Sequence, residues 1–162
     1  MLAGVMADTH DNIPLVKETL EEFRARGVEH IIHAGDIVAP FTLEVLLEPD
    51  IPFVGVIGNN DGEREGLKAM CSTLYDAPHI FELGGRDIVL VHREEDVPED
   101  RAADADVVIF GHTHEAGIDE GPPLRINPGE VGGWLHGNTT AALLDLDELE
   151  AQIIDLNPEN QT

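Results

Sequence analysis

The chain has 162 residues, of which 42% are hydrophobic, and this length and composition are typical of one folded domain with a buried core. It carries 33 acidic residues against 9 basic ones, giving a formal net charge of −24, and the acidic residues are spread along the whole sequence. This charge argues against nucleic acid as a partner, because no basic stripe could meet phosphates, and it predicts a halophilic protein adapted to a salty cytoplasm.

The N-terminal segment MLAGVMAD lacks the basic start and the long apolar run of a signal peptide or a membrane span. We therefore expect a cytoplasmic location and no membrane attachment. Cys71 is the only cysteine, which excludes an internal disulfide and a thiolate metal site. We expect residues 1–156 to form a single domain and residues 157–162 to be a short polar C-terminal tail.

Apolar runs alternate with helical patterns in the first half of the chain, and hairpin patterns follow. The patterns predict strands at 2–7, 28–34, 52–57, 80–83, 87–91, 107–110, 139–146 and 149–156, and helices at 13–26, 41–47, 64–74 and 99–103. Asp11 and Asn12 are N-cap candidates for the first helix, Pro14 lies in its first turn, and Gly27 follows its end. This order of elements predicts a mixed α/β layered fold.

Metal-ligand side chains follow five of the predicted strands. The segments ADTHDN, HAGDIV, IGNNDG, LVHRE and GHTH supply Asp8, His10, Asp36, Asn59, His92, His112 and His114. In open α/β sheets the carboxyl ends of the strands form the ligand-binding edge, so we expect these residues to converge. Buried carboxylates need a compensating cation, and seven ligands exceed what one ion takes. The sequence therefore predicts two ions, and nitrogen and oxygen ligands without sulfur suit Mn, Fe, Zn, Co or Ni.

The ordered blocks DTH, GDIV, GNND, VH and GHTH, followed by INPGEVGG, resemble the calcineurin-like metallophosphoesterase superfamily. In length the chain is similar to the small single-domain prokaryotic phosphodiesterases of that group. The resemblance implies a four-layer αββα sandwich with two central mixed β-sheets. It also implies metal ligands: one ion bound by Asp8, His10 and His114, the other by Asn59, His92 and His112, and Asp36 bridging both.

The same resemblance implies a phosphoesterase, most simply a phosphodiesterase, with two divalent ions as cofactors and manganese as the first choice. A metal-bridging hydroxide would be the nucleophile, and the two ions would neutralise charge on the phosphoryl oxygens. The expected partner is a small phosphate-ester substrate. A homo-oligomer is also consistent with the family, although no interface can be identified in the sequence.

Three residues depart from the family pattern. Asn60 occupies the position at which many members have a histidine, and with Asp36 we count it as a catalytic residue. An amide can hydrogen-bond a phosphate oxygen but cannot act as a general acid, whose help is worth roughly 10²–10⁴-fold, so we favour diesters over monoesters. Arg93, where glycine is common, either holds the backbone away from the site or reaches the phosphate. Glu130 replaces the serine of NPGS, which favours a structural loop.

Two other functions fit the same fold. The first is a catalytically silent scaffold or protein-interaction subunit with a decayed site, which we disfavour because all seven ligand positions carry competent donors. The second is a DNA-repair nuclease, which would need a longer and more basic chain. Two polar residues are expected to support the site rather than bind metal: His33 as a core histidine and Asp61 as a residue that orients Asn59 or its loop.

Overall fold

The structure is a computed structural model of the chain and describes residues 1–157. The predicted tail at 157–162 therefore lies, apart from Asn157, outside the described residues. The strands are β1 (Leu2–Met6), β2 (His30–His33), β3 (Phe53–Val56), β4 (Leu74–Tyr75), β5 (His79–Leu83), β6 (Arg86–Leu90), β7 (Val107–Ile109), β8 (Gly117–Asp119), β9 (Leu124–Asn127), β10 (Thr140–Asp145) and β11 (Glu150–Asp155). The helices are α1 (Ile13–Ala25), α2 (Pro40–Leu47), α3 (Arg64–Met70) and α4 (Glu99–Ala102), and Glu94–Asp96 forms one 3-10 turn.

The strands form two mixed sheets. The six-stranded sheet has the order β11-β10-β1-β2-β3-β4, in which β1 to β4 are parallel and the β10–β11 hairpin is antiparallel. The five-stranded sheet has the order β5-β6-β7-β9-β8, with a parallel centre and one antiparallel strand at each edge. In both sheets the parallel strands end at a common edge, which is where open α/β sheets bind their ligands.

Two hydrophobic cores lie on opposite faces of the six-stranded sheet. Along β1, Ala3 and Val5 belong to the core between the two sheets, whereas Met6 belongs to the core under the helices, as the two-residue period of a strand requires. In α1, Val16, Leu20 and Phe23 recur at helical spacing and pack into the core under the helices. A third, smaller cluster covers the outer face of the five-stranded sheet with the segment that carries the 3-10 turn and α4. These layers give the predicted αββα sandwich, with a thin fourth layer.

The structure differs from the predicted elements in two places. The predicted helix at 64–74 ends at Met70, and Leu74 instead pairs with Gly55 of β3. Leu67, Cys71 and Leu74 are all buried at helical spacing, so the local pattern does not distinguish a longer helix from a strand at Leu74. The long-range pairing with β3 favours the strand. The strands β8 and β9 were not predicted, because each is short and they flank the run Gly121–Pro122–Pro123.

The helices are short, and α1 is the longest with 13 residues. Within residues 1–157, none of them has both the length and the apolar character that a membrane crossing requires.

Candidate metal centre

The predicted ligands meet at one edge of the sandwich. Asp8 and His10 follow β1, Asp36 follows β2, and Asn59 follows β3 of the six-stranded sheet. From the other sheet, His92 follows β6, and the pair His112 and His114 follows β7. The two sheets thus bring side chains that are up to 106 positions apart in sequence into contact through the His114–Asp8 pair.

Glycines at the strand ends allow this close approach. A Cβ atom at Gly58 would lie 2.2 Å from Asp36 Oδ1, and one at Gly111 would lie 2.8 Å from Asp8 Oδ2. Real Cβ atoms do not come that near to an oxygen. The glycine before Asn59 and the glycine before His112 are therefore required for the carboxylates to occupy their positions.

Asp8, His10 and His114 form a first group of donors, whose ligand atoms all lie within 4.8 Å of one another. His114 Nε2 is 3.3 Å and His10 Nε2 is 3.6 Å from Asp8 Oδ1. Within residues 1–157, Asp8 Oδ1 and His10 Nε2 are buried polar atoms without a hydrogen-bond partner. Buried polar atoms are normally satisfied, so a fully buried carboxylate oxygen left open beside two imidazole nitrogens is a position that fits a cation.

Asp8, Asp36 and His92 form a second group, and all three residues are buried. His92 Nδ1 donates to the carbonyl oxygen of Ala34 at 2.8 Å, which leaves Nε2 toward the site. That Nε2 lies 2.8 Å from Asn59 Oδ1 and 3.4 Å from Asp36 Oδ2. Asp36 Oδ2 also lies 3.2 Å from His10 Nε2, so this carboxylate stands between the two groups.

The charges of the site shift the pKa values of its histidines. The Asp36 and Asp8 carboxylates raise the pKa of His10 to about 10. Burial lowers the pKa of His92, but the nearby Asp36 carboxylate outweighs burial and raises it above its ordinary value. For Asp36, burial raises the pKa, and the nearby imidazoles of His10 and His92 together with the Asn60 backbone N–H more than reverse this, so the pKa falls well below its usual range. A proton on His10 therefore stands near the position where a cation would also compensate the two carboxylates.

His112 takes a different position from the other histidines. Its backbone N–H donates to Asp8 Oδ2 at 3.0 Å, and its ring centroid is 5.1 Å from that of His92. It belongs to neither group of mutually close donors. Its assignment to the second ion stays a prediction.

Glu130 is the residue of the site that the sequence did not reveal. Its carboxylate is 1% exposed and accepts a hydrogen bond from His114 Nδ1 at 2.9 Å. The same carboxylate accepts from the backbone N–H groups of Trp134, Leu135 and His136 at 2.9–3.3 Å. Glu130 therefore fixes the His114 ring with Nε2 toward Asp8 and also closes the loop after β9. The signal was its departure from the family's NPGS, which indicated structure but not this contact.

Asp61 and Asn60 fix the position of Asp36. Asp61 accepts backbone hydrogen bonds from Asp36, Val38 and Gly58 at 3.1, 2.6 and 2.7 Å, so it orients the loop, as the sequence indicates. Asn60 donates its backbone N–H to Asp36 Oδ1 and its side-chain amide to Asp36 Oδ2, both at 2.8 Å. In this arrangement the amide nitrogen of Asn60 contacts the carboxylate rather than the space for a substrate.

The N-cap prediction for α1 was wrong in its details. Asn12 occupies the N-cap position but makes no capping hydrogen bond, and its side-chain amide donates to the Gly132 carbonyl at 2.8 Å. Asp11 accepts from the backbone N–H of Ala39 and from the Thr42 hydroxyl, at the start of α2. Both side chains make long-range hydrogen bonds that hold the loop after β1 in place. Partners so distant in sequence could not be identified from the local pattern.

His33 is fully buried, as expected of a core histidine. Its Nδ1 accepts from the backbone N–H of Gly35, and Nε2 lies 3.3 Å from the Thr9 hydroxyl. Burial lowers its pKa to about 3, so this histidine is neutral throughout the physiological range. It supports the loops that carry Asp8 and Asp36.

Five of the predicted ligands have left-handed backbone conformations, which are uncommon for residues other than glycine. They are Asp8 (φ 51°), His10 (φ 41°), Asp36 (φ 62°), His112 (φ 69°) and His114 (φ 62°). Such conformations cost on the order of 1–3 kcal/mol each and cluster at functional sites. The open carboxylate oxygen, the convergent imidazoles and this strain together fit a site for divalent cations bound by nitrogen and oxygen.

Known proteins of similar sequence and structure identify the family of this chain. The sequence model of the calcineurin-like phosphoesterase superfamily domain matches residues 1–149. The phosphodiesterase MJ0936 of Methanocaldococcus jannaschii is 34% identical over 159 residues, which cover 93% of this chain and 96% of that protein. The solved structure of an archaeal phosphodiesterase has a TM-score of 0.85 and 35% identity and covers 96% of this chain and 99% of its own.

A more distant structure has the same fold. Vps29 of Entamoeba histolytica, solved in complex with zinc, has a TM-score of 0.69 at 19% identity, and the match covers 97% of this chain and all of the other. That likeness concerns the fold alone. With a family match over most of the sequence and a relative that is one-third identical, the chain belongs to the calcineurin-like phosphoesterase superfamily.

Proposed function

We propose that the protein is a binuclear-metal phosphodiesterase, a phosphoric diester hydrolase that uses two divalent ions, with manganese as the preferred metal. The observation that carries the proposal is the buried Asp8 Oδ1, which has no hydrogen-bond partner within residues 1–157 and lies 3.3 Å from His114 Nε2 and 3.6 Å from His10 Nε2. The Asp8 carboxylate also belongs to the second group, with Asp36 and His92. A relative that is 34% identical over nearly the whole chain is named a phosphodiesterase, which supports the same class.

The proposed ligand sets are Asp8, His10 and His114 for one ion, Asn59, His92 and His112 for the other, and Asp36 between them. Two ions held there would supply an activated water and neutralise charge on the phosphoryl oxygens. The chain's own task is to orient the donors. Glu130 and the Ala34 carbonyl hold the Nδ1 protons of His114 and His92, so that both Nε2 atoms point into the site.

Asn60 supports diesters as the substrate class. Its side chain holds Asp36 and carries no proton that it could donate to a leaving group. A substrate whose leaving group departs readily as an anion would then react fastest. The surrounding protein is strongly acidic, which disfavours a long polyanion such as nucleic acid as the substrate.

Hydrolysis of bis(p-nitrophenyl) phosphate and of p-nitrophenyl phosphate, with and without added manganese, tests the proposal. The parent protein should hydrolyse the diester only with metal, and Asp36→Asn should lose at least about 10²-fold of that activity. Asp50→Asn is the matched control, because Asp50 is exposed and remote from the site. Bound manganese should be counted in each protein by equilibrium dialysis.

Two outcomes would overturn the proposal. If the folded parent protein binds two ions but hydrolyses neither ester with any divalent metal, the fold serves as a scaffold. If Asp36→Asn keeps the parent's activity while Asp50→Asn behaves as the parent, the reaction occurs elsewhere.

A further inference from the structure

A cavity of about 340 Å³ opens beside the second donor group. Asn59 and His92 line it on the side of the metal centre. The remaining lining residues are Ile57, Gly58, Arg64, Asp76, Ala77, Arg93 and Asp96. Its volume lies at the lower end of the range of about 300–1,000 Å³ for small-molecule sites. A substrate whose phosphoryl group is bound at Asn59 and His92 would therefore have one of its two arms in this cavity.

Two of the nine basic residues of the chain, Arg64 and Arg93, line the cavity. Of the other seven, Arg26, Lys68, Arg101 and Arg125 each lie within 4 Å of a carboxylate, and Arg86 donates to the Leu146 and Asp147 carbonyls. Arg93 is half-buried directly after His92, and in the part of the chain that the structure describes its guanidinium has no ion pair and no hydrogen bond. Arg64 is exposed, and its side chain makes one hydrogen bond within residues 1–157, a long one of 3.5 Å to the Gly58 carbonyl.

Within residues 1–157, neither acidic residue of the cavity forms an ion pair with Arg64 or Arg93. Asp76 is bound to Lys68, with 2.9 Å between Nζ and Oδ2. Asp96 is exposed, and its backbone N–H donates a hydrogen bond to the Arg93 carbonyl at 3.1 Å. Among residues 1–157, Arg93 is the half-buried cation with neither a carboxylate nor a hydrogen-bond partner, in a protein with 33 acidic residues. Guanidinium groups bind phosphate oxygens through two parallel hydrogen bonds, which makes phosphate the matching ligand.

We propose that this cavity binds a second phosphate group, carried on one arm of the substrate diester, through Arg93 and Arg64. The inference rests on the proposed phosphodiesterase function and adds a substrate class to it: a phosphodiester whose retained or departing arm ends in a phosphate monoester. Arg93 is a specificity residue in this scheme, because it contacts the arm and leaves the scissile phosphate to the metal ligands.

A matched series of chromogenic diesters tests the inference. The three probes are p-nitrophenyl ethyl phosphate, its 2-hydroxyethyl analogue as a control for size, and its 2-phosphoethyl analogue, which carries the second phosphate. They are assayed with the manganese-loaded protein in molar KCl, where long-range attraction is screened and direct contact remains. The 2-phosphoethyl substrate should have a KM about ten-fold or more below that of the other two, with a similar kcat.

Variants of the two cavity arginines test whether the lower KM of the 2-phosphoethyl substrate arises in the cavity. Arg93→Gln should raise the KM of the 2-phosphoethyl substrate about ten-fold and leave that of the ethyl substrate unchanged, and Arg93→Lys should recover part of the loss. Arg64→Gln should have a smaller effect in the same direction. Arg101→Gln is the matched control, because its side chain is exposed and does not line this cavity.

A binding measurement with metal-free protein gives a readout that does not depend on turnover. Titration of inorganic phosphate, followed by the NMR signals of the arginine Nε–H groups, should shift the signal that Arg93→Gln removes. Equal KM values for the three substrates, with diester hydrolysis intact, would overturn the cavity assignment alone. Absence of hydrolysis of all three diesters would instead overturn the proposed function, and this inference with it.

Discussion

Glu130 accepts a hydrogen bond from Nδ1 of His114 at 2.9 Å, and this contact joins a predicted metal ligand to the loop that follows β9. A carboxylate in this position fixes the tautomer of the imidazole and holds its other nitrogen toward the site. Because Glu130 also binds three backbone N–H groups at residues 134–136, the position of His114 depends on the closure of that loop.

We expect Glu130→Gln to weaken manganese binding about 10- to 100-fold, since the amide would place a donor against either the His114 proton or the loop N–H groups. Manganese affinity is measured by competition with a chelator, and thermal unfolding of the metal-free protein is measured in parallel. Glu150→Gln, at an exposed position on β11, serves as the control. If stability falls but metal affinity is unchanged, Glu130 supports only the loop.

Metal binding should release protons near neutral pH. Because the Asp36 and Asp8 carboxylates raise the pKa of His10 to about 10, the metal-free protein carries a proton there at pH 7.5, and an ion must displace it. Apparent affinity should therefore increase by about ten-fold per pH unit between pH 6.5 and 8.5 for each proton released. Calorimetry in buffers with different ionisation enthalpies measures the release. His10→Gln should lower it by about one proton, and heats independent of the buffer in the parent would contradict the scheme.

Asn60→His should shift the protein toward monoesters. A histidine there could protonate a poor leaving group, an effect with a ceiling of roughly 10²–10⁴-fold, so we expect the ratio of monoester to diester kcat/KM to rise at least about ten-fold. Asn60→Gln keeps an amide and adds no acid, which makes it the control. If both variants lower the two activities in parallel, Asn60 acts only by holding Asp36, to which it donates two hydrogen bonds.

The net charge of −24 predicts a fold that depends on salt. Screening shortens from about 10 Å at 0.1 M to about 3 Å at 1 M, so molar KCl should remove most of the repulsion between acidic side chains. We expect the melting temperature to rise by at least about 5 °C between 0.1 and 2 M KCl, or about 2 kcal/mol at roughly 2–4 °C per kcal/mol. Sorbitol, an uncharged osmolyte, is the control. An equal gain in sorbitol would assign the effect to exclusion of the cosolute rather than to charge.

Much of the fold could be predicted because the local signals agree with the packing. Alternation along β1 and helical spacing in α1 reflect burial on defined faces, and these elements fall within two residues of their predicted bounds. The helix predicted through Leu74 is a place where the local pattern and the tertiary structure disagree. There the apolar spacing suits a helix, and only the distant Gly55 of β3 favours a strand.

The candidate site shows the same division. Asp8, Asp36 and His92 could be identified because carboxylates and imidazoles at strand ends must meet in this kind of sheet, and the structure places them in one group. Glu130 and Asp11 could not be assigned partners, because a glutamate in a loop or an aspartate before a helix has many solvated alternatives. Their partners, His114 and Ala39, lie 16 and 28 positions away.

The left-handed backbone at Asp8, His10, Asp36, His112 and His114 has a consequence for laboratory evolution. Natural proteins are rarely at their stability optimum, and a search for heat resistance accepts any substitution that relieves strain. Glycine or asparagine at these five positions would relieve the backbone strain. Selection for thermostability alone should therefore accumulate changes there and yield thermostable proteins that no longer bind metal. A selection that demands turnover at every round should leave the same five positions untouched and find its gains elsewhere.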